Sequence, residues 1–189
     1  MEEKLDLGLE LRMYFLTMYN ISDIQKGIQC GHAALEYASE FRDTNLFNTF
    51  VKTYKTWIIL NGGTSTKTDH FAQGKIKEGS METNEKFLRD LGINYSKFYE
   101  PDLNYSLSSL CFILDERVFN MKKYPQFDQY YLNNLVERNY TKQIVYAEDG
   151  YDIKNCDKSI QDCYAEWLQI VGGETNAKLK LFISKFKLA

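Results

Sequence analysis

The sequence predicts an α/β fold: a three-layer sandwich around a mixed, mostly four-stranded sheet, followed by a C-terminal helical extension. Three observations predict it. Short apolar runs alternate with amphipathic segments, which is typical of strands that alternate with helices. The 189 residues are 44% apolar and 15% aromatic, so the chain can bury a substantial core. Beyond Asp115 the alternation gives way to helical patterns.

We therefore expect a core over residues 1–118 and a mainly helical extension over residues 119–189, packed on that core. The predicted strands of the core lie at about 13–19, 56–60, 93–99 and 107–114. Its predicted helices lie at about 23–41, at 45–55, and from a capping Ser80 to a terminating Gly92. In the extension we predict a helix at 127–139, a strand at 143–146, a helix capped by Ser159, and a last helix after Thr175.

The first strand is almost continuously apolar, which indicates burial on both faces. Ser22 or Asp23 supplies N-cap chemistry for the helix that follows. In that helix an apolar stripe recurs at helical spacing and is typical of an amphipathic helix: Ile24, Ile28, Gly31, Leu35 and Ala38. Two explanations of its small residues stay open. Gly27 and Gly31 let another backbone come close, or they only fit the helix onto a sheet.

Beside this stripe, a second row is polar and faces a ligand in our interpretation: Gln25, Gln29, His32 and Glu36. Ligands of open α/β sheets usually bind outside the carboxyl ends of the strands, where this helix begins. The later run Gly62–Thr68 lacks the spacing of a phosphate-binding loop, so we predict an ordinary loop there. Residues 71–79, like His70 before them, are predicted to be part of an exposed connector.

Composition excludes several classes of protein. The formal net charge is −3 and the pI about 5.5, which disfavours nucleic-acid binding by the whole surface. The first residues do not form a signal-peptide n-region, and no apolar run is long enough to cross a bilayer, so we expect a cytoplasmic protein without membrane contact. Four cysteines without CxxC pairing and only two histidines predict reduced core thiols, no metal and no cofactor.

Two motifs carry a resemblance to a known family. Ile24 to Leu35, with Gln29-Cys30-Gly31-His32-Ala33 at its centre, follows an apolar strand. Gly92-Ile93, then Phe98-Tyr99-Glu100-Pro101-Asp102 and Ser108-Ser109-Leu110, come later in the same order and spacing. Together they resemble the first helix, acidic turn and final strand of the type II peptidyl-tRNA hydrolases. The resemblance covers about Met13 to Leu114.

The resemblance implies a metal-independent hydrolase that cleaves the ester between a peptide and the 3′ ribose of tRNA, commonly as a dimer. It implies catalytic roles for Lys26, His32, Glu100 and Asp102. Glu100 or Asp102 would orient water, and Lys26, with Gln29 or His32, would polarise the ester carbonyl or hold the ribose. Gln25, Gln29, Ser108 and Ser109 would contact substrate. The family's lysine falls on Gln25, with Lys26 one position away, a rotation of about 100° on a helix.

Two functions stay open at this point. The first is the esterase, with tRNA as partner and the lysines of the last helix adding phosphate contacts. Those lysines, Lys178, Lys180, Lys185 and Lys187, equally fit a solvated face over a packed apolar stripe. The second is a catalytically inactive protein- or nucleotide-binding module, which contacts a protein partner through its tyrosine-rich extension. The abundance of Asn, Lys, Ile and Tyr is compatible with an A/T-rich phage genome.

Overall fold

The structure, a computed structural model, describes residues 8–69, 75–138, 143–147 and 150–189. The chain divides into two compact units: Met1–Asp115 with Phe186–Ala189, and Glu116–Lys185. The predicted α/β class is confirmed. The first unit holds a four-stranded mixed sheet between helices, and the second unit is mainly helical.

The first unit begins with the strand that the sequence predicts. Its elements, in chain order, are β1 (Leu11–Met18), α1 (Asp23–Phe41), α2 (Asn45–Thr49) continuing as a π-helical turn (Phe50–Tyr54), β2 (Thr56–Gly63), β3 (Lys67–Asp69), β4 (Lys75–Lys77), α3 (Ser80–Asp90), β5 (Tyr95–Glu100), a 3-10 turn (Pro101–Leu103) and β6 (Ser106–Asp115).

The sheet has the strand order β2-β1-β6-β5. Strands β1 and β2 are parallel, with Met13 opposite Trp57, whereas β6 is antiparallel to both β1 and β5. Because β1 is a central strand, seven of its eight residues are buried. This confirms the prediction, drawn from its near-continuous apolarity, of a strand buried on both faces.

Helices cover both faces of this sheet. On one face Phe15 and Cys111 pack with Cys30, Ala33 and Tyr37 of α1. On the other face, α3 approaches β2 so closely that a Cβ atom at Gly62 would lie 2.5 Å from Met81 Sδ. The same Cβ atom would lie 2.9 Å from Leu16 Cβ, which is fixed to the backbone of β1, so glycine is favoured at this position.

Helix α1 begins where the sequence predicts. Ser22 is its N-cap, and its side chain accepts a hydrogen bond from Gln25 N at 3.3 Å. In turn, Gln25 Oε1 accepts a hydrogen bond from Ser22 N at 3.1 Å, which completes a capping box. The predicted cap is confirmed, and the Gln25 side chain serves helix initiation.

The orientation of α1 corrects the expectation for its small residues. Ile24 is 79% and Leu35 is 70% exposed, so the apolar stripe faces away from the sheet. A Cβ atom built at Gly27 or Gly31 would meet nothing within 4 Å, so neither glycine fits the helix to a strand or to any other backbone segment that the structure describes. The sheet instead packs against Cys30, Ala33 and Tyr37, which recur at the same helical spacing.

Three local predictions are wrong in detail. Strands β3 and β4 form an antiparallel hairpin within the region predicted as loop and connector; residues 70–74, including His70, lie outside the described residues. Gly79 rather than Ser80 is the N-cap of α3, because Ser80 Oγ accepts from Thr64 N and donates to Gly62 O. Asp157 rather than Ser159 caps the helix that follows it, through a hydrogen bond from Ser159 N.

The second unit is built around an aromatic core. Its elements are α4 (Glu116–Phe119), α5 (Phe127–Arg138), β7 (Tyr146–Ala147), β8 (Gly150–Tyr151), a 3-10 turn (Ile153–Asn155), α6 (Lys158–Val171) and α7 (Glu174–Ser184). Phe127, Tyr151 and Tyr164 pack around Trp167, whose Nε1 donates to Pro125 O at 3.0 Å. The strand predicted at 143–146 is reduced to the two residues of β7.

Lys180 corrects the prediction of a solvated lysine row on the last helix. It is fully buried, and its ammonium group donates to the carbonyl oxygens of Arg117, Val118 and Tyr124 at 3.1, 3.3 and 2.6 Å. The carbonyls of Arg117 and Val118 lie in the last turn of α4, and that of Tyr124 lies after the helix. Backbone acceptors at a helix C-terminus lack intrahelical donors. Burial lowers the pKa of Lys180 to about 8. The lysine is thus a structural donor within the second unit.

Replacing Lys180 by methionine tests this role. We expect Lys180→Met to lower the free energy of unfolding by about 2–3 kcal/mol, because one buried and two partly buried carbonyl oxygens lose their donor. The exposed Lys178 provides a matched control, and Lys178→Met should change stability by less than about 0.5 kcal/mol. Urea unfolding followed by tryptophan fluorescence measures both, and equal effects would contradict the assignment.

The free energy of unfolding of the wild type and that of Lys180→Met should depend differently on pH. Since the native pKa of Lys180 lies below the ordinary lysine value of 10.5, the unfolded state binds more protons between about pH 8 and 10.5. The contribution of this lysine to stability therefore rises with pH across that window. When the same urea unfolding is repeated across that pH window, this rise in stability should be absent in Lys180→Met.

Candidate active site

A buried amide joins the two motifs that the sequence singles out. The Gln29 side chain, 4% exposed, donates through Nε2 to the Glu100 carboxylate. Its Oε1 accepts from Ser108 Oγ at 2.7 Å. Gln29, Glu100 and Ser108, called here the Gln29 cluster, thus link α1 to the end of β5 and the start of β6.

A β-bulge explains how Ser108 reaches this position. The pairing of β5 with β6 skips Ser108, because Phe98 lies opposite Ser109 and Tyr99 lies opposite Leu107. A bulge bends its strand and redirects side chains. Both serines consequently meet α1: Ser108 Oγ at Gln29, and Ser109 Oγ at 3.9 Å from Cys30 Sγ. Thr17 Oγ1 of the next strand secures the bulge by donating to Ser108 O at 3.2 Å.

Glu100 also shapes the acidic turn that follows β5. Its Oε1 accepts from Asp102 N at 3.3 Å, and Pro101 begins the 3-10 turn. Asn104 and Tyr105 then adopt left-handed conformations, both with φ of 54°. Such conformations cost on the order of 1–3 kcal/mol each in residues other than glycine and are found mostly where the surroundings enforce them. The position of the Glu100 carboxylate is therefore set by a defined turn.

The other predicted catalytic residues are placed differently. Lys26 Nζ lies 3.1 Å from Asp23 Oδ1, and Gln25 is engaged by the capping box, so neither side chain takes part in the hydrogen bonds of the Gln29 cluster. Asp102 is exposed, and only its backbone amide contacts Glu100. The structure thus unites three of the predicted site residues and leaves Lys26, Gln25 and Asp102 outside their hydrogen bonds.

His32 lies next to the cluster, exposed and about one turn after Gln29. Its ring stacks on that of Phe98, with centroids 4.4 Å apart and an interplanar angle of 17°. The carbonyl oxygen of Phe98 lies 3.1 Å from Ser108 Oγ, so His32 and the cluster share a backbone neighbour. His32 therefore presents a solvent-exposed imidazole that is stacked on Phe98, two residues before Glu100 in β5.

Cysteine chemistry does not contribute to this site. Burial raises the pKa of the Cys30 thiol to about 11, which leaves it protonated at neutral pH. All four cysteines are free and buried, as the sequence predicts. Within the described ranges, no three metal-binding side chains approach closely enough to share an ion.

Comparison with known proteins adds no assignment. No protein-family model matches the chain, and no curated protein is similar to it. A search of the described helices finds none that is both long and apolar enough to span a bilayer.

The role of Ser108 in redirecting the strand was missed by sequence reasoning. The available signal was the pair Ser108-Ser109 near the start of an otherwise apolar strand. In a regular strand, consecutive residues face opposite sides of the sheet, so the two serines would be separated. Two adjacent small polar residues in that setting fit a bulge, which places both on one side.

The burial of Gln29 gives a stability prediction. We expect Gln29→Met to lower the free energy of unfolding by about 2 kcal/mol, because the half-buried Glu100 carboxylate loses its amide donor. Ser108→Ala should cost about 1 kcal/mol, because Gln29 Oε1 then lacks a donor. Urea denaturation of the purified variants measures both.

The neighbouring Gln25→Met provides the comparison on the same helix. It removes only exposed capping contacts, so the loss should stay below about 1 kcal/mol. A Gln29 variant that is no less stable than this control would contradict the buried hydrogen bonds.

Proposed function

We propose that the first unit is a hydrolase for the ester bond of peptidyl-tRNA or a related aminoacyl or peptidyl ester. The hydrogen bond between Gln29 and Glu100 carries the proposal, because it joins the helix motif and the acidic-turn motif on which the family resemblance rests. These residues are 71 positions apart in the chain. Their contact is what a shared substrate site at these two motifs requires.

Glu100 is the group best suited to activate water. Its carboxylate is only partly buried, and Gln29 and the Asp102 amide fix its orientation. In the proposed reaction, the oxygen of water bonds to the ester carbonyl carbon while Glu100 accepts a proton. The bond from that carbon to the ribose 3′ oxygen then breaks, and the leaving oxygen takes up the proton that Glu100 accepted, which restores the carboxylate.

We assign polarisation of the ester carbonyl to the exposed imidazole of His32, which stacks on Phe98 beside the cluster, because Lys26 is paired with Asp23. Gln29 has a positioning role in this scheme, because its amide orients Glu100. Ser108 in turn orients Gln29. The proposal includes tRNA as partner, a homodimer and a cytoplasmic location, as the resemblance and the composition lead us to expect.

One observation favours the second function, a binding module that has lost catalysis. The position where the family carries a lysine is Gln25, and its side chain is held in the capping box. Among the described residues, no lysine or arginine forms an ion pair or hydrogen bond with the Gln29 cluster. In this alternative the second unit offers exposed Tyr146 and Leu132 to a protein partner.

A turnover assay separates the two functions. Purified protein is incubated with N-acetylated aminoacyl-tRNA, and free tRNA is measured. We expect release by the wild type and a loss of at least about a hundredfold in Glu100→Gln, since positioned general bases contribute roughly 10²–10⁴-fold.

Asp102→Asn is the matched control in the same turn, because its carboxylate is exposed and outside the cluster. It should retain activity within about threefold of the wild type. Absence of release by the wild type would contradict the hydrolase and leave the binding module. Equal losses in both variants would contradict the role assigned to Glu100.

A further inference from the structure

The two edges of the four-stranded sheet differ in what pairs with them. At the outer edge of β2, residues 187–189 add a short antiparallel pairing. Asn61 N donates to Lys187 O at 2.9 Å, and Ala189 N donates to Ile59 O at 3.1 Å. Within the described ranges, β5 pairs with β6 on one side and with no strand on the other. An open strand edge presents unpaired backbone donors and acceptors, so β5 can accept a further strand.

A polar groove with a volume of about 380 Å³ lies beside this open edge. Its lining residues belong to α1 and to residues 93–97, and none belongs to β6, so the groove lies on the outer side of β5. Glu36 and Glu40 of α1 provide two exposed carboxylates, and neither forms a hydrogen bond or ion pair with another described residue. We call this surface the β5 groove.

The β5 groove leads toward the Gln29 cluster, because α1 and β5 run side by side in opposite directions. Ser96 Oγ donates to Ala33 O at 2.6 Å, and further along the same pair of elements Gln29 is hydrogen-bonded to Glu100. Ser96 and Glu100 are four residues apart, or about 13 Å along a strand at roughly 3.3 Å per residue. An extended chain of about five residues therefore spans the distance from the groove to Glu100.

We propose that the β5 groove binds an extended peptide as an added strand on β5, with a basic side chain at Glu36 and Glu40. Added strands gain affinity from main-chain hydrogen bonds and specificity from the sites that receive alternate side chains. That this peptide is the peptidyl part of the ester substrate rests on the hydrolase proposal. Its C-terminal residue carries the ester, so the peptide runs parallel to β5, which ends at Glu100.

Charge favours a basic peptide in this groove. The lysine among the lining residues, Lys97, lies with its Nζ 2.9 Å from Glu85 Oε1, so its charge is already compensated. The charges of Glu36 and Glu40 are not compensated by a described residue. A lysine or arginine four residues before the ester would lie beside them and form ion pairs.

The same carboxylates disfavour a second copy of the chain at this edge. Two copies that pair antiparallel through β5 are related by a two-fold axis perpendicular to the joined sheet, so both α1 helices lie on the same face. Glu36 and Glu40 of both copies would then lie along one seam, where like charges oppose association. Lys187, a basic residue in an extended segment of the chain, is already engaged at β2.

The first test is peptide binding, which does not depend on turnover. The probe is a fluorescein-labelled seven-residue peptide amide of alternating serine and valine, with lysine four residues before its C-terminal residue. It is titrated with the full chain and followed by anisotropy. Replacing this lysine by norleucine should weaken binding at least fivefold, and the difference should fall below twofold in Glu36→Gln/Glu40→Gln. Asp43→Asn/Glu78→Gln removes two exposed carboxylates outside the groove and should keep the fivefold difference.

The second test concerns backbone pairing. A strand pairs with one neighbour through alternate residues, so an added peptide turns one set of N–H groups toward β5 and the other set away. N-methylation of the set that faces β5 should weaken binding at least tenfold. The same modification of the alternate set should weaken it less than threefold.

The third test connects the groove to catalysis. With tRNA that carries the N-acetylated five-residue peptide beginning with lysine, KM should be at least tenfold lower than with N-acetylated aminoacyl-tRNA. Glu36→Gln/Glu40→Gln should raise the KM for the peptidyl substrate at least threefold and leave kcat within about twofold. Contacts that are equal in the ground state and the transition state change KM alone.

Three results would overturn the peptide site. They are equal losses from the two N-methylated sets, equal binding of the lysine and norleucine peptides, and a dimer in sedimentation that the peptide dissociates, which would make a second copy the occupant. Turnover with a KM independent of peptide length would overturn the assignment of this peptide to the substrate and keep the hydrolase. Peptide binding as expected, without ester hydrolysis, would overturn the hydrolase and keep the peptide site.

Discussion

The arrangement of the first unit around its candidate site depends on one buried hydrogen-bonded amide. Gln29 is the polar residue of α1 that lies within the interface with the sheet, and both ends of its amide are used. A buried amide without partners would cost about 1–3 kcal/mol, so its position is tied to Glu100 and Ser108. The helix, the acidic turn and the bulged strand thereby fix one another.

This constraint also explains the two-sided character of α1. Because Gln29, Cys30, Ala33 and Tyr37 face the sheet, the larger aliphatic residues are turned to solvent. The small residues on the sheet side let the helix lie close to β6. The helix thus has a polar contact with the sheet at Gln29 and a solvent-exposed apolar stripe that includes Ile24, Ile28 and Leu35.

The fold was largely predictable because strong patterns determine it. The buried run of β1, the Ser22 cap and the stop at Gly92 are local signals, and each is confirmed. The orientation of α1 was less accessible, since two sets of residues recur at helical spacing and the chain alone does not rank them. Which set faces the sheet depends on the side chains that the sheet presents to α1, including Ser108 at the bulge. Tertiary contacts of this kind cannot be recognised from the local sequence of the helix.

The candidate site was predictable as a location but not as a set of contacts. Gln29, His32 and Glu100 were expected near the end of β1, and hydrogen bonding or stacking gathers them there. Whether Gln25 or Lys26 faces the site depended on where the helix begins, because a shift of one residue rotates a side chain by about 100° around the helix axis. The observed cap at Ser22 fixes that register and assigns Gln25 to helix initiation. Lys180 was misjudged because a buried lysine requires backbone acceptors that only the folded second unit supplies.

A double-mutant cycle between Gln29 and Glu100 tests the central claim most directly. The free energies of unfolding of Gln29→Met, Glu100→Met and the double variant are measured by urea denaturation and compared with the wild type. A direct hydrogen bond to a carboxylate predicts a coupling energy of about 1–3 kcal/mol between the two positions. Additive effects, with coupling below about 0.3 kcal/mol, would contradict the account.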